Sequence, residues 1–539
     1  MSRVLLAMGA QLGAEVRTRL RSAGTLVALA FILVGSTLWM PDPRGKAASL
    51  TWRLAGEAVN TPMYRSPYVG AATAILTAVF FVLVAFYLVA GSVRRDRETG
   101  VGAILAATPL GKGAYLAGKV AANTAYLGLI AAMILAVGVG KFLAFGEGPF
   151  EPARFLLPWL LVSVPAMLFV AAMAVLFDVT PGLRSRSGLV IWFFVSMFLF
   201  TALPLALGDG PDASGLPAFD PIGLATLHVL VKGSLPPEAR EVSIGLIFWD
   251  GPLTRVPWAG IEIPWAAAAG RAASALLAVL PFLLSVALFD RFDPARRLAW
   301  RVLRRPPASP PGAENASAPD GGGRTATAAF RIQELPAIDA NPGARAAFLA
   351  EARLIWESSP LLRWALLAAG VAGGALPGES ASFAAAAFLL ILVPVISEAG
   401  AREALAGSEA LVFSQPSVPL SGALWKTGSL ALFLLAVSAP LLFRAALSSP
   451  ARLIALVTGL LFVSAFASCS AFLTRGGKLF SGLYLALWYA AVNRLAAADF
   501  CGVLGGGLEP AVRSGYLAAG AAFLGLAMLV ERRRRLTGR

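Results

Sequence analysis

The sequence of 539 residues contains a single histidine, two cysteines and only 14% charged residues. His228 alone cannot supply a metal site built on paired histidines. Cys469 and Cys501 are too few for a disulfide framework or for a cysteine metal cluster. We therefore predict that this chain holds no metal, no cofactor and no catalytic site of its own.

A nucleotide-binding loop is also missing from the sequence. Gly140-Lys141 matches the end of a phosphate-binding loop, but Leu135 stands where the spacing requires the first glycine. Phe142 follows the lysine in place of serine or threonine. Any ATP and Mg that the protein uses must therefore be bound by a separate partner chain.

Long apolar runs make up most of the sequence, which is 58% hydrophobic with a mean hydropathy of +0.73. Runs of about 20 apolar residues are the length that crosses a bilayer as a helix. The fold class predicted is therefore an all-α polytopic integral membrane protein with about twelve transmembrane helices. The predicted spans are Thr25–Met40, Val69–Val93, Tyr115–Gly140, Phe155–Phe177, Leu189–Leu207, Trp265–Phe289, Leu361–Ala375, Ser382–Ile396, Leu420–Phe443, Leu453–Leu473, Leu479–Val492 and Gly515–Val530.

The excess of Lys and Arg gives the orientation of these spans, since cytoplasmic loops hold most of the basic residues. With the N-terminus inside, the net charge of +15 falls on the cytoplasmic segments. We expect both termini in the cytoplasm, an integral plasma membrane location of the bacterial inner membrane type, no cleavable signal peptide and no nucleic-acid partner. Membrane lipids are expected partners of the amphipathic helix 1–22 and of the terminal run Arg532 to Arg535.

The chain divides into two halves with a break in composition between them. Residues 1–305 hold the first six spans, residues 306–341 form a Pro-, Ala- and Gly-rich cytoplasmic linker, and residues 342–539 hold the other six. An even number of spans in each half implies parallel repeats. The first half also has a long outer loop, 208–264, which is a candidate contact for an extracytoplasmic accessory protein.

A segment between the second and third spans of each half is repeated. Residues 94–119 align without a gap with residues 401–426. The pairs that match are Arg95 with Arg402, Asp96 with Glu403, Gly100 with Gly407, Pro109 with Pro416 and Lys119 with Lys426. In addition, Glu351-Ala352-Arg353, which precedes the spans of the second half, is similar to Glu15-Val16-Arg17, which precedes those of the first.

The repeated segment resembles the coupling segment of permeases of type 2 ABC exporters. The first copy has Arg97-Glu98-Thr99-Gly100, then Ala107-Thr108-Pro109-Leu110 and Gly118-Lys119. The second keeps Arg402-Glu403, Gly407-Ser408 and Gln415-Pro416, but lacks the threonine before the glycine and the leucine after the proline. The resemblance implies a non-enzymatic transport subunit that docks two ABC ATPase subunits, one on each segment.

The resemblance and the charges together indicate the ATPase-docking residues. They are Arg95, Asp96, Arg97, Glu98, Thr99, Gly100, Thr108 and Pro109 in the first segment, and Arg402, Glu403, Gly407, Ser408, Glu409 and Pro416 in the second. Two other functions remain open, an ion-driven secondary transporter and a polytopic enzyme acting on lipid-linked substrates. The near absence of acidic residues in the middle of spans argues against the carrier.

Overall fold

A computed structural model describes most of the chain. The residues that it describes are 2–40, 47–54, 59–184, 186–199, 220–248, 253–292, 344–357, 360–409, 422–492, 495–502 and 508–537. The predicted linker 306–341, the first part of the outer loop up to residue 219 and Pro416 lie outside these residues.

Helices dominate the described residues, and each of the twelve ranges predicted as spans overlaps at least one of them. In the first half they are α1 Ser2–Leu20, α2 Ala23–Trp39, α3 Ser66–Phe80, α4 Phe86–Val89, α5 Ser92–Glu98, α6 Val101–Ala106, α7 Lys112–Phe145, α8 Pro152–Val179, α9 Arg186–Met197, α10 Leu224–Gly233, α11 Trp265–Ala275 and α12 Val279–Leu288. In the second half they are α13 Ala344–Glu357, α14 Pro360–Ala375, α15 Gly378–Ile396, α16 Arg402–Ala406, α17 Gly422–Val437, α18 Ala439–Ser448, α19 Pro450–Thr474, α20 Lys478–Val492 and α21 Pro510–Thr537.

Within the described residues, seven continuous helical stretches are long and apolar enough to cross a membrane, or up to nine if two bent helix pairs each count as one span. The protein is therefore a helical, polytopic membrane protein. Short π- or 3-10-helical turns join consecutive helices in three places, Phe81–Ala85 between α3 and α4, Leu276–Ala278 between α11 and α12, and Ala399–Ala401 before α16.

One predicted span is not straight. The range Leu420–Phe443 contains α17 and α18, which meet at an angle of 68°. Pro440 lies in the first turn of α18, where it cannot donate a backbone hydrogen bond and its ring clashes with the preceding turn. Pro440 therefore explains the bend.

A four-stranded sheet, which the sequence analysis did not predict, covers the end of α3 that is remote from α5. Its strands are β1 Ala47–Arg53, β2 Val59–Pro62, β3 Arg240–Phe248 and β4 Leu253–Val256, in the order β3-β1-β2-β4. The pairs of β1 with β2 and with β3 are antiparallel, whereas β2 and β4 are parallel. The register pairs Trp52 with Asn60 and Leu50 with Ile244. The sheet thus joins the connection between α2 and α3 to the predicted outer loop 208–264.

The two halves share one apolar core, and the contacts between them are reciprocal. α20 of the second half packs on α4 and on the π-helical turn that precedes it, while α9 of the first half packs on α15. In terms of the predicted spans, the second span of each half meets the fifth span of the other. Phe193 and Trp488 make an edge-to-face contact in this interface, with ring centroids 5.4 Å apart.

Candidate functional site

The first predicted coupling segment consists of two short helices, α5 and α6, separated by Gly100. Gly100 has φ +76°, a left-handed conformation that glycine adopts without strain. The start of α5 is fixed by Asp178 at the end of α8, whose carboxylate accepts hydrogen bonds from the backbone N–H groups of Gly91 (2.6 Å) and Val93 (3.0 Å). The segment is therefore attached firmly to the fourth predicted span.

A buried ion-pair cluster holds α5 against α1 and α7. This first cluster consists of Glu15, Arg95, Asp96 and Lys119. The Lys119 ammonium group contacts the Glu15 carboxylate and lies 2.7 Å from Asp96 Oδ2, and Arg95 Nη2 lies 2.6 Å from Glu15 Oε2. The Tyr115 hydroxyl donates a hydrogen bond of 2.7 Å to Asp96 Oδ2.

The charges at the centre of the first cluster are removed from solvent. The side chain of Lys119 is only 2% exposed, that of Glu15 6% and that of Asp96 10%. Transfer of a lone charge into such a site is costly, so the charges must compensate one another. Two acids facing two cations satisfy this requirement and fix the relative positions of α1, α5 and α7.

A second cluster, also of two acids and two cations, holds the second predicted segment. It consists of Glu351 on α13, Arg402 and Glu403 on α16, and Lys426 on α17. Lys426 Nζ is 2.6 Å from Glu403 Oε1 and 3.5 Å from Glu351 Oε1, and Arg402 Nη1 is 3.0 Å from Glu351 Oε1. The side chains of Lys426 and Glu351 are 2% and 3% exposed.

The two clusters use corresponding positions of the two halves. Three positions of the second cluster, Arg402, Glu403 and Lys426, align with the corresponding residues of the first. The fourth is an acid on the helix that precedes the first predicted span of its half, Glu15 on α1 or Glu351 on α13. α1 packs on α7, and α13 packs on α17. Gly407 has φ +70°, close to the value at the aligned Gly100. The aligned residues therefore share backbone conformation as well as ion-pair partners.

The first segment is also tied to the end of the sixth predicted span. Arg97 Nη2 is 2.8 Å from Asp290 Oδ1. Arg291 donates a hydrogen bond of 2.7 Å to the carbonyl of Thr108, and Lys112 donates one of 2.6 Å to the carbonyl of Phe289. Both ends of the segment consequently contact the residues that follow α12.

The predicted docking residues divide into engaged and exposed side chains. Asp96, Arg97, Arg402 and Glu403 form ion pairs within the chain, and Glu409 lies between Arg475 (3.6 Å) and Arg534 (3.7 Å). The Thr99 and Thr108 hydroxyls donate to backbone carbonyls of their own helices, and the Ser408 N–H donates to the Glu403 carbonyl. Arg95 is 38% exposed despite its pair with Glu15, and Glu98, Thr99, Gly100, Pro109 and Gly407 are exposed.

The exposed tips of the two segments also carry apolar side chains that the sequence analysis did not select. Ile104 is 69% exposed, Val101 42% and Leu405 48%. Ile104 and Val101 lie on α6, and Leu405 lies at the end of α16. A tip with exposed apolar residues and a supported base is suited to insert into a groove on another protein.

The sequence analysis also missed the inward-facing polar residues of α1. It predicted an amphipathic helix over residues 1–22, and Leu20 of α1 is exposed, at 37%. The face that packs on α7 contains Gln11, Glu15 and Arg19, which recur every four residues. That spacing was a signal that one helical face is polar and needs a polar partner.

Comparison with known proteins finds no matching family model, no matching curated protein and no matching solved structure.

Proposed function

We propose that this protein is the membrane-spanning permease of an ATP-driven ABC exporter, with two parallel six-span halves around a substrate path. Two separate ATPase subunits would dock at the cytoplasmic tips of the two coupling segments and would bind ATP and Mg. The chain itself would supply the path and the docking sites, and both termini would lie in the cytoplasm.

The observation that carries this proposal is the pair of matching ion-pair clusters. A segment that only connects two spans needs no buried support. Here Lys119 and Lys426 are each buried between two acids. One acid lies on the short helix α5 or α16, and the other lies on the first helix of the half, α1 or α13. The same support built twice indicates two segments that must resist force from outside the membrane domain.

The connections of the first segment indicate where such a force would go. α5 is bonded to α1 and α7 through the first cluster, to α8 through Asp178, and to the residues after α12 through Arg97 and Asp290. A displacement of the tip would therefore move several predicted spans together. Because α4 continues into α5 and packs on α20, the motion would also reach the interface between the halves.

The exposed tip residues are the expected contacts with the ATPase. Glu98, at 59% side-chain exposure, and Ile104, at 69%, project from α5 and α6. We expect Glu98→Ala and Ile104→Asp each to weaken ATPase binding, with the larger loss for Ile104→Asp because it places a charge in an apolar contact. Glu238→Ala, an exposed acid in the predicted outer loop, is the matched control and should leave binding unchanged.

The test begins with a search of the neighbouring genes for a Walker-motif ATPase, followed by its co-expression with the chain and mass measurement of the intact complex. One copy of this chain with two ATPase subunits is the expected stoichiometry. ATP hydrolysis should require the partner and should fall in the Ile104→Asp variant. Substrate transport that is driven by a proton gradient in vesicles without any ATPase would instead support the secondary transporter, and would refute the proposal.

A further inference from the structure

A cavity of about 370 Å³ lies at the interface of the halves, beside the first coupling segment. The junction of α1 and α2 forms one wall, the turn from α4 to α5 forms another, and the loop from α19 to α20 forms the third. Glu98 and Leu405 of the exposed tips also line this cavity, whereas Val101 and Ile104 do not. Five cationic and two acidic side chains line it.

Arg19 is the most deeply placed of these cations. Only 8% of the residue is exposed. Its Nη2 atom donates a hydrogen bond of 2.5 Å to Asn123 Oδ1, and its guanidinium group lies 5.5 Å from the centre of the Tyr126 ring. Glu15 Oε2 is 3.7 Å from Arg19 Nε. Among the described residues no partner is found for the buried Nη1 atom.

The second half has apolar residues at the positions that correspond to Arg19, Asn123 and Tyr126. Arg19 corresponds to Ile355, because each lies four residues after the acid of its cluster. The gap-free alignment of the repeated segments, continued along α7 and α17, places Asn123 with Leu430 and Tyr126 with Phe433. Those three residues are apolar and buried in the shared core. One half therefore has an arginine, an amide and a phenol where the other has an apolar cluster.

Two further cations face the cavity from the second half. The Lys478 ammonium group lies at the start of α20, where it donates to the carbonyl of Ala90. Arg475 lies at the end of α19, with half of its side chain exposed and its Nε atom 3.6 Å from Glu409. Arg94 and Arg95 on α5 complete the set, each with an acidic neighbour, Glu98 at 3.5 Å and Glu15 at 2.6 Å. The lining thus holds five cations against two acids, Glu98 and Glu398.

We propose that this cavity binds a phosphate-bearing anion, with Arg19, Arg475 and Lys478 as its main contacts. A phosphate accepts several charge-assisted hydrogen bonds at once, and a guanidinium group with a free N–H matches its geometry. The bound anion would join the two halves at the point where the first coupling segment meets the second half.

Two sources could supply this chemistry, the head group of a membrane lipid and a soluble phosphate. The wall formed by α2 favours access for a lipid, because its outward face carries exposed apolar residues, Leu26 at 58%, Leu33 at 46% and Val34 at 57%. The acyl chains of a lipid could lie on that face while its head group enters the cavity. The site does not depend on the proposed exporter function.

The experiment measures binding to the purified full-length chain in a neutral detergent. The probes are dioctanoyl phosphatidic acid, dioctanoyl phosphatidylcholine and inorganic phosphate, each titrated while the thermal midpoint is followed. The test variant is the triple substitution Arg19→Ile, Asn123→Leu, Tyr126→Phe, which copies the second half and so should fold. Lys478→Met is a second, independent variant. Arg17→Ala, on the same helix but exposed, is the control for loss of one positive charge.

We expect phosphatidic acid to raise the midpoint in a saturable way and phosphatidylcholine to have a much smaller effect. The triple variant and Lys478→Met should each weaken phosphatidic acid binding at least tenfold, and Arg17→Ala less than twofold. Equal affinity for inorganic phosphate would assign the site to a soluble anion, whereas weak phosphate binding would assign it to a lipid. Absence of saturable binding of either anion, or equal losses in Arg17→Ala and the triple variant, would overturn the proposal.

Discussion

Replacement of Lys119 by methionine tests the first ion-pair cluster most directly. Methionine keeps much of the side-chain volume and removes only the ammonium group. Asp96 would then be a buried acid without its cation, beside Glu15, which keeps its pairs with Arg95 and Arg19. Removal of one partner from a buried ion pair costs about 3–5 kcal/mol, because the remaining charge is left uncompensated. We expect a loss of about that size in the free energy of unfolding.

A compensating variant separates the cost of a stranded charge from the cost of lost packing. The double substitution Lys119→Met, Asp96→Leu removes the buried cation together with the acid that it would leave uncompensated, and Glu15 keeps its pairs with Arg95 and Arg19. Apolar replacement of both members of a buried ion pair is often neutral or stabilising. The double variant should therefore be more stable than Lys119→Met alone, even though it carries more changes.

The assay is unfolding of the purified protein in mixed micelles with increasing SDS, followed by tryptophan fluorescence. Lys426→Met should lose about as much stability as Lys119→Met, because its ammonium group is buried between Glu351 and Glu403 in the same way. Glu357→Ala, which removes an exposed ion pair with Arg353 on α13, is the control and should change nothing measurable. A loss below about 1 kcal/mol for Lys119→Met, or a double variant less stable than the single one, would refute the reasoning.

Three further predictions concern other parts of the chain. Burial raises the pKa of the Cys501 thiol well above its ordinary value, and the nearby Asp499 carboxylate raises it further. Because the thiol stays protonated, maleimide at pH 8 should label it only after denaturation. That low background permits the test of sidedness: a cysteine at Gly322 should react from the cytoplasm and one at Gly215 from outside, and reaction of both from one side would contradict the predicted topology. Asp220→Ala should lower the thermal midpoint by an amount equivalent to about 2 kcal/mol or more, because the carboxylate accepts hydrogen bonds of 2.7 Å from two backbone N–H groups at the start of α10. A midpoint within error of the unsubstituted protein would show that these hydrogen bonds do not stabilise the fold.

The positions of the apolar helices could be predicted from the sequence because the signal is local. A run of about 20 apolar residues shows itself without reference to any other part of the chain. The bend after α17 was less apparent, although Pro440 gave a signal for it. How many of these helices cross the membrane depends on where the bilayer lies relative to the helix ends, so the number of spans stays a prediction.

The sheet could not be predicted because two of its three strand pairs, β1 with β3 and β2 with β4, are distant in sequence. Leu50 pairs with Ile244, so β1 and β3 meet only after the intervening helices have packed. β1 has β2 close by, but β3 has no hydrogen-bonded neighbour nearby in sequence that would fix its register. The first cluster has the same difficulty, since Glu15 and Lys119 are 104 residues apart. The alignment of the repeats paired Lys119 with Lys426, but it could not show which acid each lysine contacts.

The structure also changes the interpretation of the repeated motif. The positions that keep their charge in both copies, such as Asp96 with Glu403 and Lys119 with Lys426, lie in the buried clusters. At the exposed tips the copies differ, since Glu98 aligns with Leu405 and Thr99 with Ala406.

The charged residues that both copies keep therefore hold each segment in place, and the residues that differ between the copies form the surface that each segment presents to a partner. A buried ion cluster tolerates few substitutions because each charge depends on the others, whereas an exposed tip can change without loss of stability. For the proposed exporter this means that the charged motif does not by itself select the ATPase. The acidic, partly apolar tip of the first segment and the apolar tip of the second should contact their partners through different chemistry, although both are held by the same arrangement of two acids and two cations.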